Sequence, residues 1–242
     1  LHTSFTRIGG LFRDIPEGFV PLTERFLVEC EASINEMENL LTHNPIWHDR
    51  TKGIGAISPE DAVNWGYTGP CLRAAGVPQD LRKAQPYLGY ETYDFDIPVG
   101  TTGDVFDRYL VRTEEMRQSL RIIRQVLDRL EPGPVMVDDY KVALPPKEKV
   151  YTRMESLIHH FKLIMHGMEM PVGEVYSATE AANGELGFYI VSDGGKNPYR
   201  IRVRPPCLPI FSSFEDQVKG GLIADAVAVL GAMNIIAGEL DR

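Results

Sequence analysis

Cysteine is scarce in this chain: its 242 residues hold three, Cys30, Cys71 and Cys207, far apart and with no CxxC pair. That spacing leaves no disulfide framework and no thiolate set for nickel or an iron–sulfur cluster within the chain. An odd, sparse set fits a reducing compartment. Long apolar runs are missing too. The most apolar stretch, Leu222 to Ala237, is broken by Asp225, Gly231 and Asn234, short of the roughly 18–20 apolar residues that a membrane span needs. Membrane association is therefore expected through partner proteins. Positive charge is also in deficit, with 25 Lys and Arg against 34 Asp and Glu and a formal net charge of −9. An acidic balance argues against nucleic acid, and against an anionic membrane surface, as main partner. The chain opens at Leu1 with neither a basic leader nor a cleavage site, so no signal peptide is read and a fragment or processed product is expected.

The usual signatures of self-contained chemistry are absent as well. There is no GxSxG nucleophile elbow, no GxxxxGK[ST] and no GxGxxG between a strand and a helix. Gly194-Gly195-Lys196 reads as a hairpin turn. Glu155 and His159 stand four apart on a predicted helix, with His160 and His166 following. Such spacing can chelate a metal, but no second cluster completes a ligand set, and no metal site is assigned. The plainer reading puts His166 at a helix carboxyl end, where a cation is favoured.

What is present is a mixed pattern; with 43% hydrophobic and 24% charged residues it suits one or two ordinary domains. Phe26, Leu27, Cys30, Ile34, Met37, Leu40 and Leu41 recur at helical spacing over residues 22–43, with Asn44-Pro45 as the stop. Ser58-Pro59-Glu60-Asp61 is a helix start, with Ser58 as cap and Pro59 in the first turn. Residues 67–102 are rich in Gly, Pro and Tyr and read as a long loop with brief local structure. Residues 103–130 form the clearest helix, its Arg108, Arg112, Arg117, Arg121 and Arg124 on faces expected to be solvated or to meet another subunit. A further helix is predicted over 147–166. The period then shifts to two at Val175–Thr179, Leu186–Ser192 and Tyr199–Arg204, with turns at Asn183-Gly184 and Asp193-Gly194-Gly195, predicting a three-stranded antiparallel meander. A helix over roughly 219–231 and a Gly-containing tail close the chain. The fold class expected is α+β: a mainly helical bundle with a small antiparallel meander near residues 174–204.

Several segments together resemble one family. They include LHTSFTRIGGLFRDIP at the start, NPIWHDRTKGIGAISPEDAVNWGYTGPCLRAAG, DLRKAQPYLGYETYDFDIPVGTTGDVFDRYLVRTEEMRQS, MESLIHHFKL, SATEAANGELGFYIVSDGGKNPYRIRVRPP and the closing GELDR. In order and spacing they resemble the D-type, or 49 kDa-type, component of NADH:quinone oxidoreductase, respiratory complex I, over essentially the whole chain. The resemblance implies a single C-terminal portion, residues 1–242, with the family's N-terminal β region absent. It implies kinship with the large subunit of [NiFe]-hydrogenases; the CxxC pairs that hold nickel there are missing here, so the old metal pocket is free to take a quinone between apolar walls and a few hydrogen-bond donors.

The same resemblance implies a division of labour. Flavin and iron–sulfur clusters lie in partner subunits: the terminal cluster in a B-type subunit, with a C-type subunit and the H-type membrane subunit as further neighbours. The expected place is peripheral, on the cytoplasmic side of a bacterial inner membrane or the matrix side of a mitochondrial one. His2 matches a histidine whose protonation follows reduction of the nearby cluster. Arg7 either anchors the cluster-bearing subunit or pins the glycine turn. Met233, Asn234, Ile236 and Gly238 match the tail that lines the quinone pocket; Asn234 stands where relatives commonly have Asp, and cannot titrate. The isolated chain is expected neither to oxidise NADH nor to reduce quinone. Rival readings are a hydrogenase-type or ferredoxin-accepting relative, and a non-catalytic scaffold.

Overall fold

A computed structural model of the chain describes residues 5–241. In chain order its elements are β1 (Thr6–Arg7), β2 (Gly10–Leu11), α1 (Phe19–Leu41), α2 (Pro45–Asp49), α3 (Pro59–Asn64), α4 (Gly69–Ala74), α5 (Leu81–Ala84), α6 (Val105–Asp128), α7 (Lys147–Thr152), α8 (Met154–Met165), β3 (Gly173–Ala181), β4 (Gly184–Ser192), β5 (Arg200–Arg204), α9 (Cys207–Ser212), α10 (Phe214–Val218) and α11 (Ile223–Met233). One-turn 3-10 segments lie at Tyr90–Thr92 and Ala237–Glu239. The α+β class and the meander, in order β3-β4-β5, are as the pattern predicts. The chain divides into two compact units, one of residues 1–22, 129–175 and 190–202, the other of 23–128, 176–189 and 203–242.

The second, larger unit is built on two long helices. Glu38 of α1 receives Arg117 of α6, and Glu31 receives Arg124 at 2.7 Å. Numbers fall on one helix as they rise on the other, so α1 and α6 run antiparallel. The steps are two helical turns, which keeps each pair on one face. Between them Leu27 and Ile34 pack on Leu120, with Cys30, Ile123 and Leu127 alongside. The arginines at 117, 121 and 124 are thus tied to carboxylates of their own chain, Arg121 to Asp94 and Asp96.

Arg108 departs further from the solvated face expected. It is fully buried and donates through Nη2 to Gly55 O, Gly103 O and Gln217 Oε1, without a carboxylate partner among the described residues. Its Gln217 partner donates in turn to Tyr67 and Ser213, a polar thread beside the main apolar core of Tyr67, Leu72, Val105, Ile210, Val229 and Met233. Each such apolar side chain contributes about 1.5–3 kcal/mol by leaving water.

The stretch read as a long loop holds α4, all six of whose residues are buried. Gly69 allows this: its φ is +67°, and a Cβ would lie 2.4 Å from the Gly184 Cα, so only glycine lets the meander's first turn pass so close. Asn44-Pro45 ends one helix as predicted and also begins another: the Asn44 side chain caps α2 and Pro45 takes its first position. Ser58 caps α3 by accepting from the Asp61 N–H at 3.0 Å.

In the first unit, β1 and β2 pair antiparallel. Leu11 N–H donates to Val135 O at 2.8 Å and Val137 N–H to Gly9 O at 2.9 Å. A Cβ on Gly10 would meet that Val135 oxygen at 2.2 Å, which accounts for the glycine pair. The single helix expected over 147–166 is in fact two, α7 and α8, separated by extended Arg153 at φ −128° and ψ 122°. No Pro or Gly announces the break.

Candidate functional site

The site is in the larger unit, where α11 approaches α6. A cavity of about 560 Å³ opens there, walled by Trp47, Val105, Tyr109, Met116, Val227 and Gly231, among others. Trp47 stands edge-on to Tyr109, ring centroids 5.8 Å apart, a preferred aromatic geometry. The polar side chains on this wall are turned to other work. Thr51 donates to Trp47 O and Thr113 to Tyr109 O, each one helical turn back. Arg50 pairs with Asp225 at 2.8 Å. Arg112 donates to Ala232 O and Met233 O, the carbonyls that α11 leaves open at its carboxyl end, where a cation is favoured. Its Nε is buried without a partner among the described residues. The result is an apolar chamber with a guanidinium at its edge.

The tail begins where α11 stops. Asn234 is left-handed at φ +54°, a conformation Asn tolerates better than most residues, and turns the chain. The turn is locked by Asn183, itself buried: Asn234 Nδ2 donates to Asn183 Oδ1 at 2.7 Å, and Asn183 Nδ2 donates to Asn234 O at 2.9 Å. Cys207 lies beneath. Its thiol accepts from the Asn183 amide, and its N–H donates to Glu239 at 3.0 Å. Burial, then the hydrogen bond with Glu239, pushes this thiol up from its ordinary range, making it a packing group and not a nucleophile. A second, shallower concavity of about 520 Å³ runs along the tail past Phe211, Leu230, Asn234, Ile235 and Leu240. It shares Val227 and Gly231 with the first.

These facts place the residues singled out from the sequence. Met233 is fully buried in the main core, below the groove and not on its wall. Asn234 borders the groove, but its amide N–H is committed to Asn183. Ile236 is 49% exposed and Gly238 has open space about it; neither lines the cavity or the groove, whose tail-side wall is Asn234, Ile235, Ala237 and Leu240. Those four are neighbours in the larger unit. Arg7 is in the smaller one, on β1, with its guanidinium 5.2 Å from the Phe12 ring centroid; the glycine turn beside it is held by backbone bonds to residues 135–137 instead. His2 lies outside the described residues. His159 and His166 border a surface hollow with Asp139 and Glu169, and among the described residues no three His, Cys, Asp or Glu side chains stand together as a metal set. The cavity wall of Trp47, Tyr109 and Arg112 was missed. Its one sequence signal was the spacing of Tyr109, Arg112 and Met116 along one side of α6.

Fold and cleft together define a class: a mainly helical α+β protein with two neighbouring concavities that share Val227 and Gly231 of α11. The family is shown by comparison. All 242 residues match the model of the respiratory-chain NADH dehydrogenase 49 kDa subunit, and the chain belongs to that family. It is 55% identical over its full length to the C/D subunit of the NADH-quinone oxidoreductase of Bdellovibrio bacteriovorus, covering 43% of that protein. It is 52% identical to the D subunits of the same enzyme from Myxococcus xanthus and from Geotalea uraniireducens, covering 58% and 62% of them. The chain thus spans about half the length of the curated relatives it matches.

Proposed function

We propose that this chain forms part of the quinone cavity of an NADH:quinone oxidoreductase, in electron transfer from NADH to quinone coupled to proton translocation. The observation that carries the reading is the pair of neighbouring concavities along α11, which share Val227 and Gly231 in their walls. An apolar chamber suits a ring and an open groove suits a prenyl tail. Quinone is the substrate. Reducing it takes two electrons and two protons, and the electrons come from a terminal iron–sulfur cluster in a B-type partner, with flavin further upstream in another subunit. His2 and Arg7 are assigned to the cluster side, His2 as the proton-coupled group. Ile236 and Gly238 are assigned to the tail beside the pocket wall, with Asn234 as the post that sets the tail's direction, and Met233 as the anchor behind it.

A C-type subunit and the H-type membrane subunit make up the rest of the surroundings; the C/D name of the Bdellovibrio relative supports the first. No helix among the described residues is long and apolar enough to cross a membrane; the reading places the chain peripherally, on the cytoplasmic or matrix face. The hydrogenase-like ancestry of the fold belongs to the same reading. A docking role for the smaller unit rests on α8, where Phe161 and Ile164 are 55% and 59% exposed; such apolar surface marks contact with a partner.

Ile236→Trp in the assembled enzyme tests the proposal. A bulky ring between the groove residues Ile235 and Ala237 raises the quinone KM and weakens inhibition at the quinone site by about tenfold, the scale of one misfitted apolar group. Unchanged KM and inhibitor sensitivity would favour a pure scaffold.

A further inference from the structure

The charges in the wall of the larger cavity do not balance. That wall holds Arg50 and Arg112, and no Asp or Glu. Arg50 is matched by Asp225 at 2.8 Å. Arg112 has no carboxylate partner among the described residues. It donates instead to Ala232 O, Met233 O and the Cys71 sulfur, and its Nε is buried without an acceptor. The two carbonyls belong to the end of α11, and a helix end carries about half a negative charge. Half a charge does not cancel a whole one.

The acids nearest to Arg112 along α6 are turned to other partners. Asp104 accepts the Gly53 N–H at 2.7 Å, Asp107 accepts the Thr102 N–H at 2.6 Å, and Glu115 receives Arg73 at 2.6 Å. None of the three is in the cavity wall. The rest of that wall is mostly apolar: Met37, Val105, Met116, Val227, Ala228 and Gly231 among others. Such surroundings screen a charge far less than water does, so the cation is felt across the chamber.

We infer that the chamber selects an apolar body bearing a negative charge over its neutral counterpart, and that Arg112 sets this preference. Its two Nη atoms are committed to the end of α11 and its Nε is buried, so it acts through its charge and not as a new hydrogen-bond donor. An organic anion with a flat or branched apolar body is the class of ligand that fits. A quinone that has gained one electron and no proton carries such a charge. On the quinone reading, on which this clause rests, Arg112 favours that reduced form over the neutral quinone.

Two fluorescent dyes that share a ring system test the preference on the purified chain: anionic anilinonaphthalene sulfonate and neutral phenylnaphthylamine. The anion should bind about tenfold more tightly, a modest value for one charge in low-dielectric surroundings. Arg112→Gln should remove the preference and Arg112→Lys, which keeps the charge, should retain it. An Arg112 that only caps α11 would weaken both dyes alike in R112Q and leave their ratio unchanged. A crystal of the wild-type chain with the anionic dye decides even where R112Q does not fold: the sulfonate should lie in the chamber on the side of Arg112. Equal binding of the two dyes to wild type, a preference that survives R112Q, or a sulfonate seated outside the chamber would overturn the inference. A short-chain ubiquinone should displace the dye. Failure to displace it, with the preference intact, would overturn the quinone reading alone.

Discussion

Helices α4 and α8 make an instructive pair. Both are apolar for most of their length. In α4 all six residues are buried, including Arg73, whose charge is met by Glu115 and Glu180. In α8, of twelve residues, Ser156 alone is buried, and Phe161, Ile164 and Met165 face outwards. The difference is one of neighbours. Gly69 lets the Gly184 backbone close over α4, and α6 supplies the other wall. Among the described residues nothing covers α8 in that way, and its apolar side chains stay exposed. Similar side chains are enclosed in one place and exposed in the other.

The largest effect that tests this contrast is on the α4 side. Arg73→Met leaves buried carboxylates without their cation and should cost about 3–5 kcal/mol in denaturant unfolding; a loss below about 1 kcal/mol would mean the cluster contributes little to the fold. Next is the tail lock. Asn183→Ala and Asn234→Ala should each cost about 1–2 kcal/mol, since each strands a partially buried polar partner. Their double mutant should lose less than the sum by about 1 kcal/mol, and simple additivity would show that the two amides do not act as one. The smallest effect belongs to α8. Phe161→Ser with Ile164→Ser should change stability by no more than about 0.5 kcal/mol, yet should reduce recovery of this subunit with the assembled enzyme. Normal assembly would show that α8 is not a contact surface.

Much of the architecture was legible in the pattern of residues. Helical spacing located α1 and α6, the Ser58-Pro59 start located α3, and alternation with Asn183-Gly184 located the meander. The failures share a physical cause. Helix α4 has only six residues, too few to hold without tertiary walls, and no apolar periodicity of its own announces it. Arg108 stands in a row of arginines of which those at 117, 121 and 124 pair with carboxylates, and nothing in its spacing shows that backbone carbonyls of residues 55 and 103 would fold over it. The break at Arg153 carries no helix-breaking residue. For the site, the family resemblance marked the tail, but the cavity wall depends on Trp47, Tyr109 and α11 meeting from three distant parts of the chain. That Met233 serves the core and not the groove follows from the turn at Asn234, which alternation along the tail cannot reveal.

The central claim is that the neighbouring concavities along α11 receive a quinone. A photoreactive quinone with its label on the ring or the tail, bound to the assembled enzyme and followed by peptide mapping, addresses it directly. Adducts on the segment from Val227 through Ile236, displaced by excess quinone, are the predicted result. Labelling confined to other chains, with none between Ile223 and Leu240, would contradict it.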